Sequence, residues 1–292
     1  MRLEERVPLA RMTTIGSGGP ARWFGRPQTV AELEELLRWA SAEALPVTTV
    51  GLGSNLLAAD EGVDGLVLRL EGELAAVEAS GAILAAGGGA ANAVCLHRAR
   101  SAGLGGFEFA CAIPGTAGGG VRMNAGAYGG DWKGVLARAL VATSEGSEWL
   151  APDELGLEYR RSSLGTDQVV AAVEFRLTPR SPDEVKAHVR ELNARRKAAQ
   201  PVNRRTFGSV FKNPDHELSA GRILEAVGLK GHRIGGAQIS PRHGNFIENA
   251  EGATTADALA LMAEGRRRAH EEFGVELEHE VAFVGPIDLP PL

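Results

Sequence analysis

The sequence predicts an α+β fold built in three successive units. Helix-start signatures and apolar strand runs mix along the whole chain, two dense glycine clusters interrupt them, and no internal repeat or low-complexity segment appears. A chain of 292 residues is also long for one domain. Composition shifts near residues 60–65 and 179–182 set the boundaries. The reading is an N-terminal unit over 1–64, a glycine-rich unit over 65–180 and a C-terminal unit over 181–292, whose last strand is a candidate to pack back on the earlier units.

In chain order, Thr29-Val30-Ala31-Glu32 reads as a capping box, a threonine N-cap with glutamate three residues on, opening a helix over 31–44. Short apolar strands follow at 47–50 and 66–70. The stretch 79–96 lacks charge, yet Gly87-Gly88-Gly89, Asn92 and many small side chains leave it too weakly apolar for a membrane span. Strands at 135–142 and 169–177 come next. Ser181-Pro182-Asp183-Glu184 is a second capping box, with proline at the first helical position. Thr254 with Asp257 opens a third helix that turns Leu259, Met262 and Phe273 toward a core, before a last strand at 281–284.

A net charge of −6 argues against nucleic-acid binding driven by overall charge. The run Arg195-Arg196-Lys197 with Arg204-Arg205 reads as a solvated helix end, with a local anion site as the alternative. Cys95 falls in an apolar helical pattern and Cys111 beside a glycine-rich loop; with no CxxC pair they offer neither a disulfide framework nor metal-site spacing, and no metal is expected. His97 and His188 fall in helical stretches as structural or solvent-facing residues. Charge over residues 1–6 leaves no secretory signal to read, so a cytoplasmic protein without membrane attachment is expected; the expected form is a monomer, with an oligomer left open.

The two glycine clusters carry the chemistry. Gly51-Leu52-Gly53-Ser54-Asn55-Leu56 follows an apolar strand. As a dinucleotide fingerprint it fails, because Leu56 stands where the third glycine belongs and residues 58–62 read as a turn, not a crossover helix. The second cluster runs Pro114-Gly115-Thr116-Ala117-Gly118-Gly119-Gly120-Val121, continuing through Asn124, Gly126 and Tyr128 to Gly130. That density disfavours a regular helix or strand. Tight bends instead expose backbone N–H groups that cradle phosphate oxygens without cationic side chains, and two such loops can grip a diphosphate from two sides.

These clusters resemble the flavin-binding loops of the UDP-N-acetylenolpyruvoylglucosamine reductase (MurB) family. Thr13-Thr14 with Gly18-Gly19-Pro20-Ala21 is similar to that family's N-terminal element, Tyr159-Arg160-Arg161-Ser162 to its Y-R-x-S motif, Gly208-Ser209-Val210-Phe211-Lys212-Asn213-Pro214 to its GS-x-F-K-N-P motif, and Glu280-Val281 with Gly285 to its closing strand. The motifs fall in family order. Gly16, Ser17, Ala112 and His279 depart from the pattern, the last where proline is common, and the short connection from Arg160 to Ser209 resembles the form without a tyrosine loop.

The resemblance implies a vanillyl-alcohol-oxidase-type FAD-binding domain in two subdomains and a C-terminal α+β substrate-binding domain. It implies non-covalent FAD held by Gly51, Gly53, Ser54, Asn55, Leu56, Pro114, Gly115, Thr116, Gly118, Gly119, Asn124 and Gly126. It implies NADPH as reductant and an enolpyruvyl UDP-sugar substrate contacted by Tyr159, Lys212, Asn213 and Gln238. Catalysis would fall to Arg160 gripping the substrate carboxylate, Ser209 donating a proton and Glu280 polarising the carboxyl end. An oxidase of the same flavin superfamily, tethering flavin through Cys111 or His97, stays open as the alternative; a Rossmann dehydrogenase and a non-catalytic nucleotide-binding module are further rivals.

Overall fold

A computed structural model describes residues 3–292; Met1 and Arg2, part of the charged N-terminal run, lie outside the described residues. By internal contacts the chain forms two compact units. One unit comprises residues 3–5 with Trp23–Leu52 and Gly65–Arg196; the other comprises Arg6–Arg22, Gly53–Asp64 and Lys197–Leu292. The chain changes unit at 64/65 and again at 196/197, and pairing remote in sequence decides membership. Leu56–Ala58 pairs in parallel with Ala282–Val284. The buried Thr255 hydroxyl donates to the Ala58 carbonyl at 2.6 Å, 197 positions away, and shares a 2.8 Å hydrogen bond with the Ser17 hydroxyl.

In the first unit, helix α1 spans Val30–Ala42. Thr29 caps it, its hydroxyl accepting from the Glu32 N–H at 3.2 Å, while the Glu32 carboxylate accepts from the Gln28 N–H at 2.7 Å, one residue further back than a capping box requires. The helix stops two residues before the expected 44, where Ala44 turns to φ 51°. Its buried face, Leu33, Leu36, Leu37 and Ala40, has helical spacing and packs with Leu66, Leu68, Leu74 and Val169. Each such leucine contributes about 1.5–3 kcal/mol by leaving water. A five-stranded antiparallel sheet runs Gly146–Leu150, Leu136–Thr143, Val169–Arg176, Ile83–Gly87, Val77–Ser80 across its width. The uncharged stretch 79–96 is thus strand, turn and the start of helix α2 (Asn92–Ser101), and among the described residues no helix is long and apolar enough to cross a membrane.

The second glycine cluster departs from expectation. Residues Ala117–Arg122 form a short helix, α3, with the Thr116 hydroxyl at its N-cap. Its glycines serve close packing. A methyl group on Gly118 would lie 2.9 Å from the Gly88 carbonyl oxygen, and one on Gly120 would lie 2.2 Å from the indole of the fully buried Trp132. Packing thus overrides the poor helix propensity of glycine. Trp132 itself sits edge-to-face with Phe107, Phe109 and Phe175 at 5.3–6.1 Å, an aromatic centre for this unit's core. Helix α4, Pro182–Ala199, has a complete capping box between Ser181 and Glu184.

The second unit builds a four-stranded antiparallel sheet in the order Thr206–Ser209, Phe246–Asn249, Ala237–Ile239, Arg233–Ile234. Helices α5 (Ala220–Ala226) and α6 (Thr255–Phe273) contribute Ile223, Leu224, Leu261 and Met262 to a core with Phe207, Ile239 and Ile247; Leu259 and Phe273 pack at its margin. The α6 N-terminus has the reciprocal Thr254–Asp257 box, and the Asp60 carboxylate accepts from the N–H groups of Thr255 and Ala256, both at 2.9 Å. Those bonds satisfy donors that no helical carbonyl can reach.

Candidate active site

In the first unit, the start of the first glycine loop at Gly51 meets the second loop at Thr116. A methyl group on Gly51 would lie 2.7 Å from Thr116 Oγ1, so only bare backbone fits there. The Gly115 carbonyl accepts from the Asn92 N–H at 3.0 Å and the Ala90 carbonyl from the Ala117 N–H at 2.8 Å, which anchors the second loop on the start of α2. The N–H groups of Gly51, Leu52, Gly115 and Thr116 donate to no acceptor among the described residues. Such a cluster of unspent donors is the chemistry a diphosphate requires. Pro114 is exposed beside them, and the Gly119 N–H points at the Thr116 hydroxyl, 3.4 Å away.

The same unit holds the Tyr159–Arg160 motif on a tight hairpin closed by an isolated bridge between Glu158 and Arg161. Arg160 sits at φ 56° and Asn124 at φ 36°, left-handed positions uncommon for residues with side chains. The hairpin is braced on both sides. Asn124 Nδ2 donates to the Glu158 carbonyl at 2.9 Å, and its Oδ1 accepts from the Lys133 N–H at 2.9 Å. Lys133 Nζ reaches the Leu157 carbonyl at 3.2 Å, and the Ser162 hydroxyl donates to the Arg122 carbonyl at 2.7 Å. Arg160 Nη2 donates to the Gly126 carbonyl at 2.7 Å, and its guanidinium lies 5.1 Å from the ring centre of Tyr159, which is 53% exposed. Sequence reading names Asn124 and Gly126 for cofactor binding; here the Asn124 side chain and the Gly126 carbonyl are engaged in holding the arginine hairpin. Sequence reading also missed Lys133 and Arg122 as braces, because only the folded hairpin brings their polar groups to its carbonyls.

In the second unit, Ser209, Lys212 and Glu280 lie on one paired pair of segments. Between Thr206–Glu248 and Ser209–Phe246 the first strand gains one residue, a bulge at Gly208, whose φ is 86°. A bulge turns the strand and re-aims Ser209, which is half-buried. Beyond it the Lys212 N–H donates to the Glu278 carbonyl at 2.9 Å and the Glu280 N–H to the Val210 carbonyl at 2.8 Å, flanking a bridge between Phe211 and His279. Asn245 clamps Phe211 from the other side, its Oδ1 accepting from the Phe211 N–H at 2.9 Å and its Nδ2 donating to the Phe211 carbonyl at 2.8 Å. Asn55 Nδ2 donates to the Glu280 carbonyl at 3.1 Å, so the first glycine loop is tied to the closing strand. Gly53 is buried at φ 66°, where a methyl group would collide with the Met12 carbonyl. The Thr14 hydroxyl donates to the Thr206 carbonyl at 2.6 Å, and its N–H to the Gly53 carbonyl at 3.0 Å, which gives the N-terminal Thr-Thr element a job as a brace. Ser54 and Leu56 flank Asn55, half-buried in that loop.

The remaining candidates are engaged within the protein. Lys212 Nζ lies 2.5 Å from Glu278 Oε1, Asn213 Oδ1 accepts from the Ala220 N–H at 3.2 Å, and Gln238 Nε2 donates to the Gly231 carbonyl at 3.0 Å. Of the three catalytic candidates, Arg160 belongs to the first unit and Ser209 and Glu280 to the second. Among the described residues no group of three or more His, Cys, Asp or Glu could hold a metal ion.

Comparison with known proteins shows the family. Residues 200–284 match the family model described as UDP-N-acetylenolpyruvoylglucosamine reductase, C-terminal domain, and residues 22–147 match an FAD binding domain. A UDP-N-acetylenolpyruvoylglucosamine reductase 2 of Symbiobacterium thermophilum is 46% identical over 286 residues, covering 97% of this chain and 92% of the relative. The chain belongs to the UDP-N-acetylenolpyruvoylglucosamine reductase family. A reductase of Anaeromyxobacter dehalogenans is 44% identical, covering 98% of this chain and 86% of its own length. The crystal structure of the Thermus caldophilus family member superposes with a TM-score of 0.85 at 38% identity, covering 97% of this chain and 99% of that one. The chain is therefore an FAD-binding oxidoreductase with an FAD domain and a reductase C-terminal domain. The unspent backbone donors of Gly51, Leu52, Gly115 and Thr116 fit the FAD diphosphate, since they are uncharged N–H groups and Gly51 has no side chain to close their approach.

Proposed function

We propose that this protein catalyses NADPH-dependent reduction of UDP-N-acetylglucosamine enolpyruvate to UDP-N-acetylmuramate, a cytoplasmic step in peptidoglycan precursor synthesis. The observation that carries the reading is the convergence of the two glycine loops, Gly51 against Thr116, with four backbone donors unspent. Gly53, Ser54, Asn55, Leu56, Pro114, Gly118 and Gly119 complete the cofactor segments. FAD, when bound, supplies the hydride that NADPH delivers to it, for transfer from N5 to C3 of the vinyl ether.

The chain's own groups manage charge and the proton. Arg160, held in one orientation by its bond to Gly126, pairs with the substrate carboxylate as that group gains enolate character. Ser209, aimed by the Gly208 bulge, gives its hydroxyl proton to C2. Glu280, on a backbone fixed by Val210 and Asn55, polarises the carboxyl end. Lys212, Tyr159, Asn213 and Gln238 receive the sugar nucleotide.

Stopped-flow measurement of the two half-reactions tests this. In Ser209→Ala, oxidation of reduced flavin by the enolpyruvyl sugar nucleotide should slow by about 10²–10⁴-fold, the usual worth of a placed general acid. Arg160→Ala should lose the same half-reaction and keep flavin reduction by NADPH. A Ser209→Ala protein reoxidised at the wild-type rate removes the proton-donor role; equal loss of both half-reactions in Arg160→Ala makes that residue structural.

A further inference from the structure

His279 precedes Glu280, and its side chain does not point idly at solvent. Its Nδ1 lies 2.8 Å from the Val281 carbonyl oxygen. A carbonyl only accepts, so the proton in that bond belongs to Nδ1. Its ring stacks on Phe283 with centroids 4.2 Å apart and planes 8° from parallel. The side chain thus spans Glu280, bonding to the residue after it and packing on the third residue after it.

The backbone of Glu280 is held from two further directions, its N–H on the Val210 carbonyl and its carbonyl on Asn55 Nδ2. The peptide between Val281 and Ala282 is held at both ends, its N–H on the Asn55 carbonyl at 3.0 Å and its carbonyl on His279 Nδ1. In the pairing across Phe211 and His279, the ladder bonds flank the pair (Lys212 to Glu278, Glu280 to Val210), so the main chain of His279 itself contributes no ladder bond. Without the His279 side chain, the Val281 carbonyl loses its bond to Nδ1, and the peptide that follows Glu280 keeps only its N–H anchor on Asn55.

We propose that His279 is a positioning residue that holds the Glu280 carboxyl group in its working orientation through the imidazole–Val281 bond, with Phe283 as the platform that keeps the ring in place. The proposal rests on the role given to Glu280 above. It predicts that the hydrogen bond, not the bulk of the ring, matters for turnover. His279→Asn places an amide donor where Nδ1 stood; His279→Phe keeps the stack and removes the donor.

The test is the second half-reaction in holoenzyme, measured for His279→Asn, His279→Phe, Glu280→Ala and the double variant His279→Phe/Glu280→Ala. The expected result is a loss of about tenfold in the limiting rate for His279→Phe, the size of one positioning hydrogen bond, with KM little changed. His279→Asn should recover most of that rate. The double variant should be no slower than Glu280→Ala, because a residue that acts only through another adds nothing once that other is gone. A wild-type rate in His279→Phe, a His279→Asn protein as slow as His279→Phe, or additive losses in the double variant each overturn the proposal. A wild-type rate in Glu280→Ala overturns the role of Glu280 itself, a result separate from these.

Discussion

Gly120→Ala sets helix propensity against packing. By propensity alone alanine stabilises a helix by about 1 kcal/mol over glycine. The added methyl, however, would stand 2.2, 2.4 and 2.5 Å from three atoms of the Trp132 indole. Carbon atoms rest about 3.5–4.0 Å apart, so helix or indole must yield by more than an ångström. Trp132 has nowhere to go: it is fully buried, with Phe107, Phe109 and Phe175 around its ring. Overpacking of this kind costs about 1–3 kcal/mol or more, against which the propensity gain is the smaller term. Net destabilisation should lower the melting temperature by several degrees, at roughly 2–4 °C per kcal/mol for a domain of this size. Because α3 begins at the Thr116 end of the amide cradle, the flavin content of purified protein should fall as well. Thermal melts at fixed FAD concentration, with the flavin-to-protein absorbance ratio, measure both. A Gly120→Ala protein as stable as the wild type and fully loaded with flavin would refute the packing argument.

Two further predictions concern titration and thiol reactivity. Burial holds the His243 pKa below its ordinary 6.5, with Glu225 opposing more weakly, and Nδ1 accepts from the Asn245 N–H at 3.1 Å. Between the folded and unfolded pKa values the unfolded chain binds more protons, so stability is full above pH 6.5 and declines as pH falls through the lower folded value; denaturant melts across pH 5–7 should show this slope, and His243→Gln should flatten it. Cys95 is fully buried and its thiol is pushed up to about 12 by desolvation, whereas Cys111 is only half-buried. A thiol reagent added to native protein should therefore leave Cys95 unmodified until denaturant is present, and mass spectrometry of the labelled peptides would expose the error if it reacts first.

Much of the local architecture was legible in the sequence. The helices after Thr29, Ser181 and Thr254 start where their caps stand, because an N-cap acts within a few residues of itself. The strands near 47, 66, 136, 169 and 282 follow runs of apolar residues for the same reason. Of the candidate site, the motifs were legible, and folding brings Gly51 against Thr116 and pairs the segments that carry Ser209 and Glu280. The α3 helix was not legible, since its glycines answer to Trp132, Gly88 and Val170, residues remote along the chain.

Sequence by itself determined the caps, the strand runs, the glycine loops and the order of family motifs, all of which depend on residues near one another in the chain. Tertiary structure alone decided which segments belong together, that Asn124 and Thr14 serve as braces, and that His279 reaches over Glu280 to Val281. The physical reason is range: capping and periodicity act over one or two turns, whereas steric exclusion and the satisfaction of buried polar groups are settled between whichever atoms folding brings into contact.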